Sequence, residues 1–290
     1  VQSYSKTLFV QRAGRKLREM GYDFQADRYL APDLTVRAEH ISLGRLVQLA
    51  VQQEPESLIW ALRADGVLIS LTYSTDEAVR GFSRHVLGGF SDAAHTVAAR
   101  VESLCVIPDP NGEYDQLWLQ VQRWVNGAAQ RSIERLEQYW KTGDTQAGGF
   151  FVDCGLSYNG VPASTFSGLS HLKGESVAVL VDGATHPRLV VSNAGTVTLA
   201  NDLTGSVVHI GHPFTGRLTT MRIEAGSAGR VDIVWYASTS AVNGDTADWV
   251  VLFAQTTNAT DSSPTFAEQQ ISDHVIHGSN ISLGGLTVTG

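Results

Sequence analysis

The 290-residue sequence contains only two cysteines, and charged residues make up 17% of it. Two cysteines cannot form a structural zinc site by themselves. Because Cys105 and Cys154 both lie in apolar, strand-like contexts, we expect buried free thiols rather than a disulfide. The sequence also lacks a run of about 18 apolar residues, so no membrane-spanning segment is expected.

Basic residues are scarce relative to acidic ones. The 21 lysines and arginines against 29 aspartates and glutamates give a net charge of −8. Tight binding of nucleic acid through its phosphates needs clustered basic side chains, so the balance argues against it. A surface past which DNA slides remains compatible, since like charges do not adhere. We interpret the basic residues Arg12, Arg15, Lys16 and Arg18 as a solvated strand face.

The residues that are abundant favour short strands and turns. Glycine occurs 28 times, alongside many Val, Thr and Ser residues. Asp65-Gly66 and Asn126-Gly127 each predict a hairpin, because these dipeptides adopt the positive φ that a tight turn requires. A short helix is predicted within "APDLTVRAEHISLGRL" (31–46), after Pro32 and Asp33.

This pattern predicts a mainly β protein. We expect antiparallel, β-propeller-like blades together with a small SH3-like β-barrel. The predicted domains are a partial propeller-like domain over 1–145, a small barrel over 150–228 and an incomplete β segment over 229–290.

One stretch, "GLSHLKGESVAVLVDG" (168–183), resembles a catalytic sequence. It places Ser170 beside His171 and continues with Lys173, Glu175 and Asp182. The stretch lacks the second glycine of a G-x-S-x-G nucleophile elbow. In an extended chain, adjacent side chains point to opposite faces, so Ser170 and His171 would diverge. We interpret the stretch as two turns around a strand at Val177–Val181.

Other candidate sites have equally plain interpretations. His209 and His212 in "HIGH" match a nucleotide-binding signature only in their letters, and i, i+3 positions on a strand face opposite sides. "DPNGEYD" (109–115) offers oxygen ligands for Ca²⁺ but reads better as a hairpin loop. Surface residues are favoured over a metal site for Asp273, His274 and His277, and glycosylation sequons occur at Asn258 and Asn280. No catalytic residue, cofactor site or metal ligand is predicted.

Six blocks of the sequence occur in a recognisable order: "DRYLAPDLTVRAEHI" (27–41), "IWALRADGVLISLTY" (59–73), "RSIERLEQY" (131–139), "FFVDCGLSYNG" (150–160), "GLSHLKGESVAVLVDG" (168–183) and "VHIGHPFTGRLTTMRIEAGSA" (208–228). Taken in order, these blocks resemble the tail nozzle proteins, or distal tail tubular proteins, of short-tailed bacteriophages. The resemblance covers roughly residues 8–228.

The resemblance implies a structural subunit of the virion with no reaction of its own. Six copies would form a ring around a channel for DNA ejection, in contact with tail adaptor or tubular proteins and tail fibres, with DNA present only in transit. It also implies a small barrel similar to the FCCH domain of ubiquitin-activating enzymes, without ubiquitin chemistry.

Residues 229–290 instead resemble a segment of secreted bacterial sialidase-like propellers. They lack the Asp-box, and the arginine triad of sialidases cannot be matched to them, so the resemblance implies no activity. The alternatives to a nozzle subunit are a secreted sialidase-like glycosidase and a carbohydrate-binding β-propeller module.

Overall fold

The chain is built mainly of antiparallel β-strands, which confirms the predicted fold class. A computed structural model describes residues 1–3, 6–75, 77–141, 143–219, 223–224, 230–238, 249–256, 281–283 and 286–288. The chain divides into two compact units, Val1–Lys141 and Thr142–Gly290. No helix of the described residues is long and apolar enough to cross a membrane.

The first unit contains three antiparallel sheets. Its strands are β1 (Gln2–Ser3), β2 (Lys6–Val10), β3 (Leu17–Asp23), β4 (Arg28–Leu30), β5 (Leu46–Gln52), β6 (Leu58–Arg63), β7 (Leu68–Ser74), β8 (Val79–His85), β9 (Arg100–Pro108), β10 (Asp115–Val125) and β11 (Ala128–Arg135). The sheet orders are β1-β2-β3-β4, β5-β6-β7-β8 and β11-β10-β9. The first two are up-and-down meanders, the strand order of a propeller blade.

The two central strands of the middle sheet, β6 and β7, are buried on both faces. Along β6, Ile59 packs into a core with Leu8 and Leu17 of the first sheet. The next residue, Trp60, packs into a second core with Val121 of the third sheet. The sequence of β6 therefore begins with the continuous apolar run "LIWAL" (58–62), because each face of this strand packs into its own core.

Both predicted hairpins are present in this unit. Strands β6 and β7 pair around the Asp65-Gly66 turn, in which Gly66 has a φ of 89°. Strands β10 and β11 pair directly from Val125 to Ala128, with Asn126 and Gly127 at φ values of 50° and 76°. Two consecutive left-handed residues match a type I′ turn, which suits the right-handed twist of the flanking strands.

The predicted short helix is present but begins later than the pattern indicated. Helix α1 spans only Glu39–Ser42, and its N-cap residue Ala38 has no capping side chain. Asp33 instead accepts hydrogen bonds from the backbone N–H and the hydroxyl of Thr35, at 2.9 and 2.6 Å. This local contact stabilises a turn in place of the first helical turn.

The second unit contains strands β12 (Asp153–Ala163), β13 (Thr165–Phe166), β14 (Ser176–Val181), β15 (Ala184–Val190), β16 (Val197–Thr198), β17 (Gly205–His212), β18 (Thr215–Thr219), β19 (Ile223–Glu224), β20 (Arg230–Ser238), β21 (Trp249–Thr256), β22 (Ile281–Leu283) and β23 (Leu286–Val288). The pairing orders are β12-β17-β14-β15, β13-β16, β18-β20-β19 with β21 also on β20, and β22-β23. Two 3₁₀ turns lie at Gln146–Gly148 and Ser170–Leu172.

The core of this unit lies against the sheet β12-β17-β14-β15. Val177, Val179 and Val181 of β14 point into it together with Val208 and Ile210 of β17. Strand β14 matches the strand predicted at Val177–Val181. Strands β12 and β15 are the edges of the sheet, so the described pairings do not close a barrel.

The two cysteines are free thiols, but they are not both buried. Cys105 is exposed on β9 and Cys154 is half-buried on β12. The apolar neighbours of Cys105 in sequence were misleading because successive residues of a strand face opposite sides of the sheet.

Candidate functional site

The residues of the Ser170–His171 pair have separate surroundings. Both lie in the 3₁₀ turn Ser170–Leu172 rather than in the extended chain that we assumed. Nε2 of His171 lies 3.0 Å from the carbonyl oxygen of Cys154. A carbonyl oxygen can only accept, so His171 donates there and links the turn to β12.

Asp182 at the end of the same stretch also contacts backbone. Its carboxylate accepts hydrogen bonds from the N–H of Ser206 at 3.0 Å and of Val207 at 2.7 Å. Asp182 and Gly183 have φ values of 48° and 89° in the two-residue turn between β14 and β15. The carboxylate therefore attaches this turn to the start of β17.

The "DPNGEYD" loop uses its first carboxylate in the same way. Asp109 is buried and accepts hydrogen bonds from the N–H groups of Asn111, Glu113 and Tyr114, at 3.1, 2.6 and 3.2 Å. Burial raises the pKa of Asp109, but these backbone donors outweigh burial and leave the pKa below its usual 3.8. The carboxylate stabilises a hairpin loop, as the sequence favoured, and its oxygens are occupied by backbone donors.

His209 and His212 lie in the last four residues of β17. Both ring nitrogens of His209 have a hydrogen-bond partner. Its Nε2 lies 2.8 Å from the carbonyl oxygen of Ala147, and its Nδ1 lies 2.7 Å from the hydroxyl of Ser157. The ring of Phe150 packs edge-on at 5.5 Å. Ser157 and His209 are direct cross-strand partners in the β12–β17 register.

The Ser157–His209 pair was missed by sequence reasoning because the two residues are 52 positions apart. It has the nucleophile-and-base contact that serine hydrolases use, with a carbonyl in place of the orienting carboxylate. The same contacts also join the edge strand β12, strand β17 and the 3₁₀ turn Gln146–Gly148.

A second unforeseen pair lies in the first unit. The hydroxyl of Ser70 is 2.8 Å from Nε2 of His85, and the His85 ring packs 5.3 Å from the ring of the buried Trp60. Burial lowers the pKa of His85 below its usual 6.5, so the ring stays neutral at pH 7. Trp60 donates its indole N–H to Gln52 at 2.9 Å.

Two buried charged residues of the first unit, Glu19 and Arg123, lie in ion pairs. The carboxylate of Glu19 accepts the Tyr73 hydroxyl at 2.6 Å and lies 3.4 Å from the Arg80 guanidinium. The guanidinium of Arg123 pairs with Glu134 and donates to the carbonyl of Gly88 at 2.8 Å. Removing Glu134 would leave the buried Arg123 charge uncompensated, so this pair fixes the packing of β10 against β11.

The four basic residues near the start lie in and beside the β2–β3 hairpin. Lys16 forms an ion pair with Asp33 at 3.0 Å. Arg18 donates to the Gln11 side chain at 2.8 Å and to the Ala31 carbonyl at 2.6 Å. Arg12 and Arg15 are exposed. Two of the four charges are thus engaged in local contacts.

The remaining candidates do not form a described site. Asp273, His274, His277 and the sequons at Asn258 and Asn280 lie outside the described residues. Within the described part of the chain, no group of three or more His, Cys, Asp or Glu residues has the geometry to hold a metal ion. The polar side chains described above bind backbone groups or one another.

Comparisons with known proteins add little to this picture. No protein-family model and no curated protein matches the chain. The solved structures with some likeness include a Bacteroides uniformis protein provisionally named a 6-phosphogluconolactonase. It is 10% identical, with 91% of this chain and 80% of that chain covered at a TM-score of 0.21. A likeness at that score carries no argument about fold or function.

Proposed function

We propose that the chain is a structural subunit of a bacteriophage tail nozzle that assembles into a ring for DNA ejection. The observation that carries the proposal is the order of the six sequence blocks that resemble nozzle proteins over residues 8–228. Three of them coincide with framework elements: 59–73 with the β6–β7 hairpin, 150–160 with β12, and 168–183 with β14.

The roles of the polar residues support a structural protein. Asp109, Asp182 and His171 have the residue types of catalytic groups, yet each holds a loop or turn through backbone hydrogen bonds. Contacts of this kind stabilise loops and turns and require no substrate.

The charge of the chain is compatible with a DNA channel. With a net charge of −8, a ring of copies would carry a large negative charge. A wall of that sign repels the phosphates and allows DNA to pass without adhesion. A closed ring also follows the usual symmetry of homo-oligomers.

The test is the assembly state of the protein. We expect rings in negative-stain electron micrographs and a matching sedimentation coefficient, on its own or after mixing with tail adaptor protein. A protein that stays monomeric with tail components would contradict the proposal. A fluorogenic sialoside assay is the companion experiment, because turnover would favour the secreted glycosidase instead.

A further inference from the structure

The described part of the chain contains three asparagine–glycine pairs, which begin at Asn111, Asn126 and Asn159. A fourth pair, at 243–244, lies outside the described residues. An asparagine followed by glycine can react with its own backbone, because glycine has no side chain to hinder the approach. The two reacting groups are adjacent in the chain, which favours the intramolecular step. The surroundings of each pair therefore determine which one reacts in the folded chain.

The reaction of such a pair needs only water and a base. The base removes the proton from the backbone nitrogen of the glycine, and the electron pair on that nitrogen forms a bond to Cγ of the asparagine. The C–N bond of the side-chain amide breaks, and its nitrogen takes up a proton and leaves as ammonia. Water then opens the resulting five-membered succinimide at either of its two carbonyls, which gives aspartate or isoaspartate. The net change is one water consumed and one ammonia released.

The pair at Asn126 has the reacting groups free. Asn126 and Gly127 form the exposed tip of the β10–β11 hairpin. Among the described residues, neither the N–H of Gly127 nor the side chain of Asn126 has a hydrogen-bond partner. A Cβ built on Gly127 would meet no atom within 4 Å. The Gly127 nitrogen can therefore approach Cγ of Asn126 without losing a hydrogen bond of its own or displacing a neighbour.

The pair at Asn111 is exposed as well, but its backbone is hydrogen-bonded. The N–H of Gly112, which would have to lose its proton, donates to the carbonyl oxygen of Asp109 at 3.0 Å. The N–H of Asn111 donates to the carboxylate of the same Asp109 at 3.1 Å. Attack on Cγ of Asn111 must first break the Gly112 hydrogen bond, so this pair should react more slowly than the pair at Asn126.

The pair at Asn159 is held within a strand. Asn159 lies in β12 and pairs with Val207 of β17. The hydroxyl of Tyr158 donates to the carbonyl of Val161 at 2.7 Å, and its oxygen lies 2.8 Å from the position of a Cβ on Gly160. Strand pairing and the Tyr158 side chain thus restrict this backbone. The reaction of Asn159 requires a local opening of β12, which makes it the slowest of the three.

The isoaspartate product changes the hairpin at Asn126. In isoaspartate the backbone passes through the former side chain, which adds one methylene to the two-residue turn. Val125 and Ala128 pair directly across this turn, with Asn126 and Gly127 at positive φ. A longer turn does not match the twist and register of the flanking strands. The isoaspartate therefore destabilises the pairing of β10 with β11.

We propose that Asn126 is a site of spontaneous deamidation in the folded chain, and that its isoaspartate product weakens the β10–β11 hairpin. The proposal does not depend on the nozzle function: rings in electron micrographs test assembly, whereas the chemical change at one residue tests this site.

The experiment is tryptic peptide mapping of the full chain by mass spectrometry after incubation at 37 °C and pH 8. Cleavage after arginine and lysine places the three asparagines in separate peptides, 101–123, 124–131 and 142–173. We expect deamidation in 124–131 to be about 2- to 10-fold faster than in 101–123, equivalent to about 0.5–1.4 kcal/mol for one hydrogen bond. Peptide 142–173 should react most slowly. In guanidinium-unfolded chain the three rates should converge, because each asparagine is followed by glycine.

The effect on the hairpin is measured on the same samples. An isoaspartyl methyltransferase should label peptide 124–131 of the aged parent chain. The aged parent should unfold at a lower guanidinium concentration than the fresh parent. The matched control is Asn126→Ser, which has no side-chain amide and should keep the same unfolding midpoint before and after incubation.

Three outcomes would overturn the proposal. The first is that 124–131 reacts no faster than 101–123 in the folded chain. The second is that 124–131 keeps the same advantage in the unfolded chain, because local sequence rather than structure would then set the rate. The third is that Asn126→Ser loses as much stability on incubation as the parent, since the change would then lie at another site.

Discussion

In the neutral tautomer of His209 that carries its proton on Nε2, Ser157 donates its hydroxyl hydrogen to Nδ1. Nε2 of His209 faces the carbonyl oxygen of Ala147 at 2.8 Å and must carry the proton. Nδ1 is then an acceptor, so Ser157 is the donor across 2.7 Å. The pair therefore has the hydrogen-bond direction of a serine activated by a histidine, although it also joins three segments of the second unit.

We expect Ser157 to have a structural role. Ser157→Ala should lower the free energy of unfolding by about 0.5–1.5 kcal/mol, because one hydrogen bond to a buried ring is lost. A fluorophosphonate probe should leave the parent chain unlabelled. Labelling that disappears in Ser157→Ala would contradict the structural role and identify an active serine.

A glycine pair tests the turn that contains Ser170. Gly195 and Gly174 both have positive φ, 72° and 79°, so alanine costs about 1–2 kcal/mol at either position. A Cβ at Gly195 would lie 2.8 Å from the backbone nitrogen of Ser170, whereas a Cβ at Gly174 meets no atom within 4 Å.

Gly195→Ala should therefore cost about 1–3 kcal/mol more than Gly174→Ala. Urea unfolding monitored by circular dichroism measures the difference. Equal urea midpoints for the two variants would contradict this prediction. They would show that the backbone of the Ser170 turn shifts to accommodate the new Cβ with no loss of stability.

His85 should make stability depend on pH. Its pKa is lowered by burial in the folded chain, so the unfolded chain binds the proton more tightly. The stabilisation from the neutral ring is complete above pH 6.5 and is lost as the pH falls below that value. The usual pKa of an aspartate, 3.8, lies well below this pH range, so carboxylates are protonated only at lower pH.

Thermal unfolding between pH 7.5 and 5 measures this effect. His85→Gln should lose less stability on acidification than the parent chain. His40→Gln, at an exposed histidine, is the control and should follow the parent. An identical pH profile for His85→Gln and the parent would exclude the assigned role.

A matched isoleucine pair tests the doubly buried middle sheet. Ile59 is fully buried, whereas Ile133 on β11 is 68% exposed. Ile59→Ala should cost about 2–5 kcal/mol because it leaves a cavity in the core. Ile133→Ala should stay within about 0.5 kcal/mol. Guanidinium denaturation measures both, and similar losses would mean that the core against the first sheet is not formed.

Local sequence signals predicted the strands and turns of this protein well. The Asn126-Gly127 and Asp65-Gly66 turns and the strand at Val177–Val181 lie where the pattern placed them. These signals work because positive φ and alternating burial are properties of a few neighbouring residues. The short helix predicted after Asp33 starts only at Glu39, because the Asp33 side chain stabilises a competing turn.

Contacts between distant residues were beyond the reach of sequence reasoning. The Ser157–His209, Ser70–His85 and Tyr73–Glu19 pairs join residues that are 52, 15 and 54 positions apart. Cys105 was predicted to be buried and is exposed. Each of these depends on strand register and on which face of a sheet another sheet covers.

The sequence by itself determined the mainly β class, the hairpin turns and the excess of negative charge, because each follows from residue type and short-range spacing. Only the tertiary structure decided which side of each strand is buried. It buried both faces of strands β6 and β7 and left the rings of Tyr22, Phe24 and Tyr29 in solvent. It also directed Asp109, Asp182 and His171 to backbone groups. Packing between sheets determines these outcomes, and it joins residues that the linear sequence keeps apart.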